Sequence, residues 1–317
     1  MAPNPDPASP WDTSRIPDQR GRFAVVTGAT GGLGFETALA LARAGAEVLL
    51  TGRDPARGGA AMARVRAQVP GAQVAFAALD LASLASVAAF AERLAAGRGV
   101  LDLLVNNAGV MALPTRRTTP DGFELQLGTN YLGHFALTLR LLPLLRRGRG
   151  PRVVSLSSVA HRQGAIHFED LQCERVYTPW RAYSQSKLAM LMFALELQRR
   201  SDAGHWGLLS AAAHPGWART DLFTKGPGAE GGLSWFWRMA GLVAPLFSQD
   251  AAAGALPTLF AATAPEARGG GYYGPDGFLE LKGAPAPARS SARARDAAAG
   301  ARLWEVSAAL TGVPSAQ

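Results

Sequence analysis

The sequence of 317 residues predicts an α/β fold: a single domain with a doubly wound parallel sheet and helices on both of its faces. Two observations predict this class. Short apolar segments alternate with segments of helical periodicity along most of the chain, and the apolar segments are continuous, as in strands buried on both faces. Since 48% of the residues are apolar and no long linker divides the chain, one sizeable core is expected.

The predicted elements follow one another in a regular order. The first strand, 23–27, enters a glycine-rich turn and a helix that continues to Ala44, where Gly45 ends it. Breaks rich in Asn and Gly fall at the carboxyl ends of the strands, where open α/β sheets bind ligands. The same alternation predicts strands at 47–51, 73–78, 101–105, 152–156 and 207–213, and helices at 56–69, 83–96, 123–146 and 182–200.

Three segments lie outside this order. Residues 1–20 are interpreted as an N-terminal extension to a domain that spans 21–282. Within that domain, residues 224–248 are glycine-rich and then aromatic, and we interpret them as a helical lid over a substrate site. Residues 283–317 form a C-terminal tail, in which the simple composition of 283–302 predicts partial disorder before a short closing helix at 303–310.

Charge and rare residue types exclude several classes of protein. The formal net charge is +8, but lysine occurs only at Lys187, Lys225 and Lys282, so we interpret the arginine surplus as compositional bias and expect no nucleic-acid binding. Cys173 is the only cysteine and the histidines show no metal-ligand spacing, so no metal is expected. The chain shows no secretory signal and no apolar run of about 18 residues, which predicts a cytoplasmic protein without a transmembrane segment.

The string TGATGGLG at 27–34 predicts a dinucleotide site. Glycines let the backbone turn tightly and approach a pyrophosphate without an intervening Cβ, and the following helix directs its free N–H groups at the phosphates. The string stands directly between a strand and a helix, which is the context that a Rossmann-type turn requires. The residues expected to hold the cofactor here are Gly28, Thr30, Gly31, Gly32, Leu33 and Gly34.

The residues after the second strand predict which dinucleotide is bound. An acid there would bind the ribose hydroxyls of NAD(H), whereas Arg53 can form charge-assisted hydrogen bonds with the 2′-phosphate of NADP(H). We therefore expect NADP(H), with NAD(H) as the alternative in which Asp54 binds the ribose. Asp80 is equally suited to bind the adenosine half or to cap the next helix. The other residues expected near the adenosine are Leu81, Asn107, Ala108 and Gly109.

The string YSQSK at 183–187 places a phenol and an ammonium four residues apart, on one face of a helix. A neighbouring cation favours the phenolate and lowers the pKa of the phenol. A tyrosine of this kind, beside a bound nicotinamide, can exchange a proton with a carbonyl oxygen while a hydride is transferred. Tyr183 and Lys187 are therefore predicted to contact both substrate and cofactor.

Together these strings resemble the short-chain dehydrogenase/reductase family. TGATGGLG, NNAG at 106–109, a serine pair after the fifth strand, Y-x-x-x-K and a following Pro-Gly stand in family order between residues 27 and 216. The glycine string fits both TGxxxGxG and the TGxxGxxG of the extended branch, and NNAG favours the shorter oxidoreductase branch. The stretch SSVAHRQGAIHFEDLQ before YSQSK is most similar to retinol-dehydrogenase-like members.

The resemblance implies roles for individual residues. Tyr183 would be the acid/base, while Lys187 would lower its pKa and hold the nicotinamide ribose. Ser158 would polarise the substrate carbonyl, with Ser157 as the alternative. Asn130 would complete a proton path through water to Lys187.

Two further groups of residues receive expected roles. In the family, the loop after the sixth strand faces the nicotinamide, which here implies contacts from Pro215, Gly216 and Thr220. His134 and His161 are interpreted as packing or loop residues rather than catalysts.

The predicted function is NADP(H)-dependent hydride transfer between a nicotinamide and a lipophilic ketone, aldehyde or alcohol. The alternative is a non-enzymatic redox sensor that binds NADP(H) and has no need of Tyr183. Helix 182–200 is apolar nearly all round, so its surplus apolar face lies either in the core or at the subunit interface of a homo-oligomer. The lipophilic substrate is inferred from aromatic and large apolar residues of the predicted lid, namely Trp235, Phe236, Trp237, Met239 and Phe247.

Overall fold

A computed structural model describes residues 10–217 and 249–314. Eight strands of the described chain form one sheet in the order β3-β2-β1-β4-β5-β6-β7-β8. The strands are β1 (Phe23–Val26), β2 (Glu47–Gly52), β3 (Val74–Ala78), β4 (Leu103–Asn106), β5 (Arg152–Leu156), β6 (Leu209–Ala213), β7 (Tyr272–Pro275) and β8 (Pro285–Pro287).

The sheet confirms the doubly wound α/β prediction and adds two strands to it. Strands β1 to β7 are parallel, and the strand order reverses between β1 and β4, where folds of this class bind ligands at the carboxyl edge. Strand β8 is antiparallel to β7, so the sheet is not wholly parallel as predicted. This last strand lies in the segment whose simple composition predicted partial disorder.

Helices cover both faces of the sheet. Helices α1 (Gly32–Arg43), α2 (Pro55–Gln68) and α7 (Ala251–Thr263) enclose one apolar core. The second core lies under α3 (Leu84–Gly97), α5 (Gly133–Leu145), α6 (Pro179–Ala203) and α8 (Ala297–Thr311). The apolar run at 251–264, which is too short for a membrane span, therefore forms the helix that covers the first core.

The predicted long helix 123–146 is interrupted. A short helix α4 (Leu125–Leu127) leads into a π-helical turn (Gly128–Leu132) and then into α5. Two glycines let this interrupted segment pack closely against neighbouring residues. A Cβ at Gly133 would lie 2.2 Å from the carbonyl oxygen of Leu81, and one at Gly128 would lie 2.5 Å from Cγ2 of Thr119. Such π turns inside helices occur frequently at functional sites.

Helix α8 covers the surplus apolar face of α6. Its Trp304 is 1% exposed and lies edge-on to Phe135, at 5.1 Å between ring centroids, and stacked on Phe193 at 5.8 Å. The closing helix thus begins at Ala297, earlier than predicted, and the apolar face of α6 is buried within the chain. The surplus that suggested a subunit interface is accounted for by this intrachain contact.

The described part of the N-terminal extension packs against the domain. Trp11 is 6% exposed and lies edge-on to Phe260 of α7 at 5.4 Å between ring centroids. Gln19 donates a backbone hydrogen bond to the carbonyl of Ala44. The predicted lid, 224–248, lies outside the described residues.

Candidate active site

The glycine-rich turn after β1 is packed tightly against the segment that follows β4. Gly28 has a φ of +63°, and a Cβ there would lie 2.9 Å from Cβ of Ala108. A Cβ at Gly34 would lie 2.4 Å from Nδ2 of Asn107. Only glycine fits at either position, so the turn and the NNAG segment form one surface at the switch point of the sheet.

The geometry of this turn suits a pyrophosphate. Helix α1 begins at Gly32, and its N-cap residue, Gly31, provides no side-chain hydrogen bond to the first turn. The N–H groups at the helix N-terminus therefore remain directed at the space beside the turn, where they and the helix dipole favour an anion. Thr30 and Leu33, also predicted to bind the cofactor, lie in the same turn and are partly exposed.

Two arginines follow β2, Arg53 directly after the strand and Arg57 in the first turn of α2. Arg53 is exposed, as expected for a residue that binds a phosphate. A Cβ at Gly31 would lie 3.6 Å from Nη2 of Arg57, so the guanidinium of Arg57 borders the glycine turn. Arg57 was not predicted from the sequence: it lies in the first turn of α2 while Arg53 precedes that helix, so no helical spacing connects the two.

Asp54, the alternative ribose ligand, is occupied locally. It is the N-cap of α2, and its carboxylate accepts hydrogen bonds from the backbone N–H groups of Ala56 at 2.8 Å and Arg57 at 3.2 Å. This arrangement reduces its capacity to bind a ribose hydroxyl.

The alternative role of Asp80 as a helix cap is wrong. The N-cap of α3 is Ser83, whose hydroxyl accepts a hydrogen bond from the N–H of Ser86 at 3.2 Å. Asp80 instead accepts a hydrogen bond from the N–H of Ala82 at 3.0 Å, in the turn before the helix. The side chain of its neighbour Leu81 is buried in the core.

The NNAG segment holds the glycine turn through Thr27. Nδ2 of Asn107 donates to the carbonyl of Thr27 at 2.7 Å, and the hydroxyl of Thr27 accepts from the N–H groups of Asn107 and Ala108 at 2.8 and 3.0 Å. A Cβ at Gly109 would lie 3.5 Å from Nζ of Lys187 and 3.1 Å from Oδ1 of Asn130. Gly109 therefore marks the place where the two predicted halves of the site meet.

Helix α6 presents Tyr183 and Lys187 at that meeting point. The two side chains are buried, 7% and 6% exposed, and Nζ of Lys187 lies 5.8 Å from the centroid of the Tyr183 ring. The ammonium donates to the carbonyl of Leu156, the last residue of β5, at 3.1 Å. The Ser158 side chain, at the start of a 3-10 turn after β5, is hydrogen-bonded to that of Tyr183.

The protonation of these two groups is dominated by burial. Burial raises the pKa of Tyr183 to about 12, and the hydrogen bond with Ser158 opposes that rise. Burial lowers the pKa of Lys187 to about 8. For the protein groups acting alone, burial and the hydrogen bond with Ser158 set the pKa of this phenol, and the lowering expected from Lys187 together with a bound nicotinamide stays a prediction. Tyr183 is a neutral phenol at neutral pH, the form that can donate a proton.

The structure separates the two adjacent serines. The hydroxyl of Ser157 is buried and donates to the backbone carbonyl of Lys187 at 2.8 Å, which fastens α6 to β5. The hydroxyl of Ser158 lies beside Tyr183 and also accepts from the N–H of Ala160 at 3.2 Å.

Asn130 lies in the π-helical turn and joins two walls of the site. Its Nδ2 donates to the carbonyl of Val110 at 2.9 Å and to the hydroxyl of Ser186 at 2.9 Å, and its Oδ1 accepts from the N–H of Val110 at 2.7 Å. Its side chain therefore connects the loop after β4 to α6, the helix of Tyr183 and Lys187.

The two histidines interpreted as packing residues are both buried and hydrogen-bonded to the site. His134 spans 2.9 Å from Nε2 to the hydroxyl of Thr27 and 2.8 Å from Nδ1 to the carbonyl of Asn130. The Nδ1 of His161 lies 2.6 Å from the carbonyl of Ser158. Burial lowers the pKa of each to about 4, so both rings are neutral at neutral pH. They position the backbone rather than exchange protons.

The turn after β6 also lies at this edge of the sheet. Gly216 has a φ of +61°, and its N–H donates to Nδ1 of His214 at 3.2 Å. The carbonyl of Pro215 accepts from Nε2 of Gln249 at 2.8 Å. Thr220, the third residue predicted in this loop, lies outside the described residues.

Comparison with known proteins decides the family. The profile of the short chain dehydrogenase family matches residues 22–228, well over half of the chain. The chain belongs to the short-chain dehydrogenase family. It is thereby an oxidoreductase that acts on CH–OH and C=O groups.

The relatives of this short-chain dehydrogenase confirm its branch. It is 43% identical over 303 residues to the polyprenol dehydrogenase of Mus musculus, covering 94% of this chain and 86% of the relative. It is 40% identical over 295 residues to the retinol dehydrogenase 12 of Homo sapiens, covering 92% of this chain and 87% of the relative. The short-chain dehydrogenase described here is thus of the retinol-dehydrogenase-like branch.

Solved structures share its fold. A protein from Mycobacterium paratuberculosis superposes on this short-chain dehydrogenase with a TM-score of 0.77 and 41% identity, covering 96% of this chain and 98% of the other. A short chain dehydrogenase from Burkholderia cenocepacia, solved in complex with NADP, superposes with a TM-score of 0.59 and 28% identity, covering 80% and 94%. Among the described residues of our dehydrogenase, no helix is long and apolar enough to cross a bilayer.

Proposed function

We propose that this chain catalyses NADP(H)-dependent hydride transfer between a nicotinamide and a lipophilic carbonyl compound or alcohol. The observation that carries the proposal is the convergence of Ser158, Tyr183 and Lys187 beside the glycine turn. The phenol and the ammonium are buried on one helix face, and the serine hydroxyl is hydrogen-bonded to the phenol. A merely structural Tyr–Lys pair would not need a buried ammonium, which is costly to desolvate.

The preference for NADP(H) is supported by two arginines. Arg57 borders the glycine turn and Arg53 is exposed directly after β2, while Asp54, the group that could select NAD(H), is engaged at the cap of α2. The similar Burkholderia structure was solved with NADP, which agrees with this choice. Backbone groups of Asp80, Leu81 and the NNAG segment lie at the same edge and are proposed to enclose the adenosine. NAD(H) remains the alternative cofactor.

The chemistry follows from the protonation states of the site. When bound, NADPH supplies the hydride that reduces the carbonyl carbon. Ser158 donates a hydrogen bond to the carbonyl oxygen and polarises it, and Tyr183 gives its phenolic proton to that oxygen. Lys187 holds the nicotinamide ribose and favours the phenolate that Tyr183 leaves behind. Alcohol oxidation runs the same steps in reverse.

Asn130 is proposed to act one step further from the substrate. It connects the loop after β4 to α6 and lies close to Lys187, since both side chains approach the same point beside Gly109. A water path from Lys187 past Asn130 would return a proton to the phenolate. Thr220 is proposed to bind the carboxamide of the nicotinamide, together with Pro215 and Gly216.

The lipophilic nature of the substrate has two supports. The relatives are a polyprenol dehydrogenase and a retinol dehydrogenase, whose names specify long apolar alcohols. In this chain, Trp180 is 44% exposed with its ring 5.7 Å from that of Tyr183, and Val176 nearby in sequence is 51% exposed. Large apolar groups exposed beside a reacting group are suited to bind an apolar chain. A homo-oligomer and a cytoplasmic location remain predictions.

Replacement of Tyr183 by Phe tests the proposal. The purified protein is assayed with NADPH and NADH against hydrophobic aldehydes and ketones of retinal and polyprenal type. We expect Tyr183→Phe to lower kcat by about 10²- to 10⁴-fold, because the proton donor is lost, while the NADPH affinity measured by fluorescence titration stays within about threefold.

The matched control is Tyr273→Phe, since Tyr273 is buried to a similar degree but packs in the core under α1, α2 and α7. It should retain the activity of the wild type. Wild-type turnover by Tyr183→Phe would refute the mechanism. Tight NADPH binding by the wild type without turnover of any compound in the panel would favour the redox sensor.

A further inference from the structure

The carboxylate of Glu280 is hydrogen-bonded to residues of three other segments of the chain. Its Oε2 accepts from Nη2 of Arg162 at 2.5 Å and lies 3.0 Å from Nε2 of His214, and its Oε1 accepts from the N–H of Arg289 at 3.1 Å. Burial by itself would raise the pKa of Glu280. These hydrogen bonds and the guanidinium of Arg162 have the larger effect and lower the pKa to about 2. The group is therefore a fixed negative charge at every pH of interest.

An unusual backbone conformation presents this carboxylate. Leu279 and Glu280 have φ values of +53° and +58°, a left-handed region that residues with a Cβ rarely adopt. The side chains of Phe278 and Leu279 are 77% and 62% exposed, so burial of these two side chains does not stabilise this conformation. The hydrogen bonds of the Glu280 carboxylate therefore stabilise the turn at 278–280.

The contact of Glu280 with His214 orients the turn at 215–217, which is proposed to face the nicotinamide. Because the N–H of Gly216 donates to Nδ1 of His214, the proton of this neutral ring is on Nε2 and is donated to Glu280. The N–H of Trp217 donates to the carbonyl of Leu281 at 2.8 Å, next to Glu280. The turn at 215–217 is thus held on both sides by the segment that carries Glu280.

The contact of Glu280 with Arg162 connects it to the turn that follows Ser158, the residue proposed to polarise the carbonyl. Arg162 lies in the 3-10 turn (Val159–Gln163) that begins after Ser158, and His161 in that turn contacts the carbonyl of Ser158. The ring of Tyr272 lies between the rings of His161 and His214, at 5.3 and 5.2 Å between centroids. One carboxylate therefore connects the serine turn after β5 to the turn after β6.

We propose that Glu280 is a positioning residue that fixes the Pro215–Gly216 turn relative to Ser158, and so sets the fit of the nicotinamide half of the cofactor. This inference rests on the proposed function, since it assigns the turn to the nicotinamide. It leaves the adenosine half, bound at the glycine turn and Arg53, independent of Glu280.

The test compares whole and half cofactors. Glu280→Gln removes the negative charge with little change of volume. Its amide NH₂ group must then face one of the donors whose hydrogen bonds Glu280 accepts. We expect the dissociation constant of NADPH to rise about ten- to a hundredfold, with a fall in kcat of similar size. The dissociation constant of 2′,5′-ADP, which lacks the nicotinamide, should be unchanged, as should both constants in the control Glu266→Gln, a surface ion-pair residue.

Arg162→Gln provides a second variant with a less buried side chain, for the case in which Glu280→Gln does not fold. It should show the same selective loss of NADPH affinity to a smaller degree. Equal weakening of NADPH and 2′,5′-ADP, or no weakening of either, would overturn the inference. Failure of the wild type to bind NADPH would instead refute the proposed function, so the two failures are distinguishable.

Discussion

At the scale of single residues, the serine pair after β5 offers a sharp contrast, because its two hydroxyls face different groups. Ser158→Ala should lower kcat by about 10²- to 10³-fold, since the substrate oxygen loses a hydrogen-bond donor. Ser157→Ala should instead lower the free energy of unfolding by about 1 kcal/mol, because the carbonyl of Lys187 loses its partner. The measurements are carbonyl reduction with NADPH and urea unfolding. If Ser157→Ala were the slower enzyme while fully folded, the polarising role would pass to Ser157.

The two arginines near the glycine turn make a second residue-scale prediction. Arg53→Ala and Arg57→Ala should each raise the KM for NADPH about tenfold, since each loses a charge-assisted contact to the 2′-phosphate, and leave the KM for NADH unchanged. Arg93→Ala, an exposed arginine on α3, is the control for net charge. A parallel rise in both KM values would place the arginines outside the phosphate site.

Residues of the site differed in how well the sequence predicted them. Tyr183 and Lys187 could be placed on one helix face because helical spacing is a local property. The N-cap residue of α3 could not be predicted in this way. It is Ser83 rather than Asp80, and the choice between them depends on where the helix starts within a single turn. The contacts of Glu280 and His134 join residues far apart in sequence, and only the folded chain reveals them.

At the scale of elements, helix α8 is expected to support α6. Trp304→Ala should lower the free energy of unfolding by about 3–5 kcal/mol, because it leaves a cavity between the aromatic rings of α5 and α6. Leu310→Ala on the same helix should cost much less, since that side chain is 36% exposed. Urea unfolding followed by circular dichroism measures both. Equal effects would mean that α8 is not anchored through Trp304.

The elements predicted well are those with strong local signals. The six strands and the helices between them follow from apolar runs and periodicity, and their bounds differ from the structure by a few residues. Strand β8 and the first turns of α8 were interpreted as tail because prolines, alanines and arginines carry no periodic pattern there. Their order comes from partners elsewhere, β7 and α6, which a local pattern does not contain.

At the scale of the whole molecule, the buried neutral histidines should make stability depend on pH. Unfolding frees His134 and His161 to bind protons from about pH 6.5, whereas the folded protein holds the pKa of each near 4. Their contribution is therefore complete above about pH 6.5 and is lost as the pH falls toward 4, by about 3 kcal/mol for each histidine. Urea unfolding at pH 7.5 and 5.0 measures the loss.

His134→Gln removes one of these two titrations and should reduce the difference between the two pH values, even though it also lowers stability overall. The exposed His205, replaced by Asn, is the control and should leave the difference unchanged. A difference that is the same in His134→Gln as in the wild type would assign the pH dependence to other groups.

The edge formed by β8 has a consequence for the behaviour of the protein in concentrated solution. In this antiparallel pair, Ala284 and Ala288 bond inward to Asp276 and Tyr272, so the alternate residues 285 and 287 face outward. Both are proline, and neither has an N–H to offer to an incoming strand. An exposed sheet edge is a template for aggregation, and here two prolines remove its donors. The repetitive APAP sequence thus hinders the sheet from extending across its β8 edge into that of another molecule.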